Sequence, residues 1–254
     1  MKTKLTKSVL VLSLILSVAE SNGKYGKGGD GNSSNNYAQE NYQEETIPSN
    51  VTDAISSEKS NLTPELQDSI TYMYNEERLA KDIYLNVYER QPIKQLYNIA
   101  TKSEIKHEQA VNDIAIKYDL NITQYPDTDI PYDKDSIAKY GSGEYAVEAI
   151  QELYNMLYNK GINSEQDALE VGCMVEVTDI DDLDKYISQA SASNASDVIE
   201  VFNFLRDGSY KHYWAFDNGL KNMGISTGCC SLGDKYCHPE YPQDNQKGKK
   251  RDEK

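Results

Sequence analysis

The chain has 254 residues, with 41 acidic and 26 basic side chains and a formal net charge of −15. A surface this acidic repels phosphate backbones, and no basic stripe interrupts it, which excludes a nucleic-acid partner and favours the attraction of cations. At 38% hydrophobic residues the chain can bury a core, but its long polar stretches must lie elsewhere.

Residues 1–19 read as a secretory signal peptide. Lys2, Lys4 and Lys7 precede an apolar run over 9–18, and Ser17-Val18-Ala19 is a small-x-small cleavage site. The run is about half the ~20 residues a membrane span requires. A secreted or cell-surface protein is therefore expected, and loss of the three lysines changes the balance from 41 − 26 to 41 − 23, a net −18. Residues 20–61, rich in Gly, Ser, Asn, Gln and Tyr, bury too little to order themselves and are expected to form a disordered tether. Residues 62–220 are expected to form the folded domain, and 221–254 a cysteine-containing loop with a polar tail.

Within the domain the periodicity is helical. Thr63 is a good N-cap and Pro64 suits the first helical position; Leu66, Ile70, Met73, Glu77, Ala80, Tyr84 and Val87 then recur in alternating steps of four and three, predicting a helix to about Arg90. A second helix is predicted over 94–118, with Tyr97, Ala100, Glu104, His107, Val111, Ile114 and Tyr118 on one stripe. A long connection over 119–142 leads to a shorter helix over 144–159, with Gly161 as its C′ residue. Ser164 caps a third long helix carrying Leu169, Gly172, Glu176, Asp179, Leu183 and Tyr186, and a Ser- and Ala-rich turn is expected over 188–193. The fourth, over 196–218, carries Val198, Phe202, Leu205, Ser209, His212 and Phe216. The fold class is all-α, and four long helices with one long crossover describe a ferritin-type bundle among other topologies.

Each stripe is interrupted midway by ionisable residues: Glu77, then Glu104 with His107, then Glu176 with Asp179, then His212. A spacing of three puts both members of a pair on one face. In antiparallel helices of similar length these midpoints share a layer of four carboxylates and two imidazoles. Buried together without cations, the carboxylates repel one another and each loses its hydration at a cost of several kcal/mol. No Lys or Arg lies on the stripes to pair them. Two divalent ions would take the layer from −4 to zero, and oxygen with imidazole nitrogen is a ligand set for iron or manganese. Tyr84, one heptad beyond Glu77, is placed to donate a hydrogen bond to a ligand.

These residues resemble the ferritin-like di-iron carboxylate superfamily, which includes ferritins and rubrerythrins. Tyr74-Asn75-Glu76-Glu77-Arg78-Leu79-Ala80-Lys81-Asp82-Ile83-Tyr84, Ser103-Glu104-x-x-His107, Ala168-Leu169-Glu170-Val171-Gly172-Cys173-Met174-Val175-Glu176 and Gly208-Ser209-x-x-His212 look most like a prokaryotic branch known as domain of unknown function 2202. The resemblance covers roughly residues 62–220. It implies a metal centre held by Glu77, Glu104, His107, Glu176, Asp179 and His212, binding two iron ions or manganese and acting on Fe(II), oxygen or peroxide. In one respect the chain departs from the superfamily: Ser209 stands where a glutamate three residues before His212 is usual, so Asp179 restores the carboxylate count or the site holds a single metal. Gly208 and Ser209 are expected to leave open space beside His212. A non-catalytic metal-binding or sensing role, and a scaffold with a vestigial site, remain alternatives, as does homo-oligomerisation.

Cys173, Cys229, Cys230 and Cys237 in an exported chain suggest disulfides, one within the tail and one tying the tail to Cys173. A zinc or iron knot is the rival reading, weakened by the lack of paired C-x-x-C spacing.

Overall fold

The computed structural model describes residues 46–126 and 131–243, so the signal segment, most of the expected tether and the end of the polar tail lie outside the described residues. Among the described residues the regular structure is helical and no strand occurs: α1 (Ser49–Ser56), α2 (Pro64–Tyr88), α3 (Lys94–Ile99), a π-helical segment (Ala100–Glu104), α4 (Ile105–Tyr118), α5 (Lys134–Ile137), α6 (Glu148–Gly161), α7 (Glu165–Ala192) and α8 (Ser196–Asn222), followed by two 3₁₀ turns at Gly228–Leu232 and Asp234–Tyr236. None of these helices is long and apolar enough to cross a membrane.

The helix starts follow from local chemistry. Thr63 accepts a hydrogen bond from the Leu66 N–H at 3.3 Å with Pro64 in the first turn, and Ser164 accepts from the Asp167 N–H at 3.0 Å. Every residue of the α2 stripe is buried. α2 packs on α4 and α7, and α8 packs on α7 and α4, so the four long elements enclose one interior.

α2 is also buried on its outer flank, which the connection between α4 and α7 covers. Arg78 donates to the carbonyls of Tyr140 and Glu144 at 3.0 Å and lies over the Tyr145 ring, while Asp82 accepts from the Gly143 N–H and the Tyr145 hydroxyl at 3.0 Å. The guanidinium fork thus satisfies carbonyls that no helix uses, and fastens the crossover to α2.

Four expectations are corrected. Residues 49–56, read as part of the tether, form α1: Val51 is fully buried and the helix packs on α8 and α4. Its few apolar residues suffice because α8 supplies the surface they need. Tyr97, placed on the inner stripe, is 47% exposed, whereas Leu96, Ile99 and Ala100 are buried. The wide π turn adds a residue to the helical repeat between Tyr97 and Glu104 and rotates the stripe by one position. The turn expected over 188–193 is helical to Ala192, because Ala190 is fully buried and alanine favours the helix; the chain reverses at Asn194, with φ of 54°. Gly161 is the last residue of α6 rather than a left-handed cap. A Cβ there would lie 2.8 Å from Val87 Cγ2, so the glycine permits close approach of α6 to α2.

The C-terminal loop is fastened by two disulfides, Cys173–Cys229 and Cys230–Cys237, which exclude the metal-knot reading of these cysteines. Asp217 accepts from the Cys229 N–H at 2.9 Å, and the Tyr213 hydroxyl donates to the Tyr236 carbonyl at 3.0 Å.

Gly172 sets the spacing of α7 and α8: a Cβ there would fall 2.4 Å from the Phe216 ring. Gly172→Ala is expected to destabilise by about 1–3 kcal/mol through overpacking, read as a lower Tm; an unchanged Tm would contradict this contact.

Candidate metal centre

Five helical segments deliver ionisable side chains to the interior. Glu77 comes from the middle of α2, Glu104 ends the π segment, His107 lies in the first turn of α4, Glu176 is midway along α7, and His212 is on α8. The π segment sets the phase at which Glu104 and His107 enter, without which the α3 register would turn them aside. Glu77, Glu104 and His107 are each 1% exposed.

Glu104 is the central residue. Its Oε2 lies 3.0 Å from His107 Nδ1, which is also 3.2 Å from Glu77 Oε2. Its Oε1 lies 2.9 Å from His212 Nδ1, which is 3.4 Å from Glu176 Oε2. The result is two groups, Glu77–Glu104–His107 and Glu104–Glu176–His212, whose ligating atoms lie within 4.8 Å of one another in each group. The two imidazoles are 5.4 Å apart, ring centre to ring centre.

The surroundings hold these atoms in place. The Tyr84 hydroxyl donates to Glu176 Oε1 at 2.5 Å, as its heptad position anticipates, and its ring packs on Phe216. Phe204 meets His107 edge-on. Gly208 leaves no open space beside His212, contrary to expectation: a Cβ there would lie 2.3 Å from His107 Cε1 and Nε2, so the absent side chain is replaced by the His107 ring. Asp179, one turn beyond Glu176, is buried but outside both groups; its Oδ2 accepts from the Ser209 hydroxyl at 2.5 Å. The serine at the departed position therefore holds a carboxylate from the neighbouring helix. Glu76, the residue before Glu77, is buried as well. The charges that act on it from outside α2, Asp182, Asp179 and Lys185, belong to α7, so its burial is a tertiary effect without a periodic signal in the sequence. The third histidine, His238, lies in the C-terminal loop against Glu240 and the Lys235 carbonyl.

Burial and the repulsion of Glu104 push the Glu77 carboxyl well above the usual range, and burial raises Glu176 against the pull of His212. Burial also acts to raise Glu104, but His212 and His107 outweigh it and hold the carboxyl below its usual range. Burial acts to lower His212, yet Glu104 and Glu176 push it up to about 10; Glu104 raises His107 in the same way. Without metal, the layer is thus a proton-sharing network of carboxylate and imidazolium.

These features define an all-helical protein with paired, buried carboxylate–histidine groups that could hold metal ions. The chain belongs to the family described as uncharacterized protein domain DUF2202, whose pattern matches residues 66–236. It is similar to the uncharacterized protein MJ0754 of Methanocaldococcus jannaschii, at 35% identity over 166 residues, spanning 65% of this chain and 80% of that protein. It is also similar to the crystal structure of the hypothetical protein MJ0754 from Methanococcus jannaschii, with a TM-score of 0.56 and 33% identity, covering 66% of this chain and 86% of the solved one.

The proton network makes a pH prediction for metal-free protein. His212, raised from 6.5 to about 10, stabilises the fold fully below pH 6.5, and that stability is lost as pH rises toward 10. The raised carboxyls of Glu77 and Glu176 act in the same direction from lower pH, while Glu104 opposes only as pH falls below the carboxylate range. In the presence of chelator, Tm should fall between pH 6.5 and 9.5. A Tm that rises over this window would contradict the His212–carboxylate pairing.

Proposed function

We propose that the chain is an exported, ferritin-like four-helix-bundle metalloprotein that binds two ions, iron or manganese, and oxidises Fe(II) or reduces oxygen or peroxide. The bundle reading is supported by the mutual packing of α2, α4, α7 and α8 and by the long connection from α4 to α7. Export rests on residues 1–19.

One observation carries the metal reading. Glu77 Oε1, Glu104 Oε1 and His212 Nδ1 are buried with no hydrogen-bond partner. His212 Nδ1 and Glu104 Oε1 lie 2.9 Å apart and, without metal, are held together as an ion pair. Each such atom costs about 1–3 kcal/mol when left without a hydrogen bond, and buried donor atoms that converge in this way are what a shared cation in place of the proton requires. The donors, carboxylate oxygen and imidazole nitrogen, fit iron or manganese.

Glu77 and His107 would hold one ion, Glu176 and His212 the other, and Glu104 would be common to both. Bound iron supplies one-electron redox chemistry that no side chain here provides. Tyr84 orients Glu176 through its hydroxyl proton, and Phe204, Phe216 and the Tyr84 ring keep bulk water from the layer. The partners implied are metal ions and small oxidants.

The test is elemental analysis of protein purified without chelator, followed by oxygen consumption on addition of Fe(II). One ion for each of the two groups is expected, with oxygen uptake proportional to Fe(II) oxidised. Glu104→Ala, which removes the shared carboxylate, should abolish both metal content and uptake. Stoichiometric binding without uptake would instead indicate a metal-uptake or sensing protein. Metal-free protein with an unchanged Tm in Glu104→Ala would leave a scaffold with a vestigial polar layer.

A further inference from the structure

Ile105 and Ile116 are two of the four large hydrophobic side chains left exposed among the described residues, at 53% and 49%. Both lie on α4, and their separation of eleven residues is close to three turns, so they project from one line on the helix. Gln109 and Asn112 fall on that line between them, and Lys102 and Asp119 extend it at either end, all in steps of three and four. Lys102, Gln109 and Asp119 are exposed and Asn112 is half-buried, so the line faces away from the interior that His107 enters. A single exposed isoleucine means little. Here two stand in the repeat of a helix–helix seam, with polar residues between and beyond them.

The seam is complementary to itself when reversed. With a second copy of α4 laid antiparallel on the first, the register that sets Ile105 opposite Ile116 of the second copy also sets Lys102 opposite Asp119 and Gln109 opposite Asn112. On one flank of the seam Lys106 and Asp113 are a heptad apart, and the same register brings Lys106 toward Asp113 of the second copy. Two-fold symmetry repeats every such pair. A parallel arrangement would set Lys102 on Lys102 and Asp119 on Asp119, like charge on like. The polar seam residues are already held in place: Gln109 donates to Asp113 Oδ1 at 2.6 Å, while the Tyr132 N–H and hydroxyl donate to Asp119 Oδ1 and Asn112 Oδ1, both at 3.1 Å. On the other flank Glu108 is paired with Lys81 and brings no unbalanced charge. That flank opens into a groove of about 320 Å³ bounded by Ile105, Asn112, Tyr132 and Ile137, beside the place where Ile116 of the second copy would pack.

We propose that the outer face of α4 is a homodimer surface, on which a second copy of this chain packs antiparallel through Ile105, Gln109, Asn112 and Ile116, with Lys102–Asp119 and Lys106–Asp113 ion pairs between the copies. The occupant follows from charge. Two lysines and two aspartates leave the seam and its flank neutral on a chain that carries −15, so two copies meet here without the repulsion that separates the rest of their surfaces. The inference is independent of metal, although the seam runs along the back of the helix that carries His107. From Lys102 to Asp119 it spans about 26 Å of helix axis, short for a permanent assembly, so the dimer dissociates on dilution.

The test is sedimentation velocity of the full chain over about 1–100 μM, the range in which an interface of this size exchanges. A monomer–dimer equilibrium is expected. Ile105→Glu, at an exposed position, should weaken it about ten-fold or more, with the helical circular dichroism spectrum retained. Lys106→Asp should weaken it about ten-fold through like charges, and adding Asp113→Lys should restore it, a rescue that a merely misfolded variant would not give. The register is tested by Gln109→Cys. Because all four native cysteines are bridged, the new thiol is the one free to react, and mild oxidation should join two copies, whereas Ser191→Cys, exposed at the end of α7, should not be joined. A chain that stays monomeric at every concentration overturns the proposal, and so does a dimer that survives both Ile105→Glu and Lys106→Asp, since it must use another surface.

Discussion

Placing carboxylates and imidazoles in the middle of a helical interior is the condition on which the remaining structure depends. Glu77, Glu104 and Glu176 lie in that layer with His107 and His212, all buried. Each charge taken from water there must recover its solvation from neighbours. Without metal, the histidines supply it by holding protons against Glu104, at the expense of Glu77 and Glu176, which are pushed toward the neutral form. The orphaned atoms of Glu77, Glu104 and His212 mark where that arrangement falls short.

The scaffold around the layer is built for precision rather than volume. Gly208 allows the His107 ring to lie against the α8 backbone, and Gly172 allows Phe216 to lie against α7, so two aromatic rings enter where methyl groups would block them. The π segment sets Glu104 at the required phase. Cys173 lies three residues before Glu176 and is bonded to Cys229, which ties the C-terminal loop to the same stretch of α7 that carries the acids. On the other side, Arg78 and Asp82, one and five residues after Glu77, clamp the crossover. The clamp on this flank and α7 on the other explain how α2 can be buried all round at the level of its glutamates while its sequence reads as an ordinary amphipathic helix.

The four long helical stretches, the starts capped by Thr63 and Ser164, and the inward position of Glu77, Glu104, His107, Glu176 and His212 were legible because each depends on short-range repetition. A step of three or four residues places side chains on one face whatever the neighbouring helix does. The same rule misplaced Tyr97, because a π turn changes the repeat without leaving a compositional trace. It also gave no account of Glu76, whose phase beside the stripe is overruled by the packing of α7 on α2. The segment of α1 was missed for a related reason: polarity describes the segment alone, and Val51 is buried by α8.

By itself, then, the sequence determined an all-helical chain, the register of most buried stripes, the acidic and imidazole residues at mid-depth, and pairs of cysteines suited to bridging the tail. Tertiary structure alone decided that Glu104 lies between both histidines, that Ser209 engages Asp179, that Gly208 is filled by His107, and which cysteines pair. The physical reason is the range of the forces. Periodicity reports which way a side chain points from its own helix, whereas the meeting of two side chains depends on the separation and rotation of different helices, and these are set by packing across the whole interior.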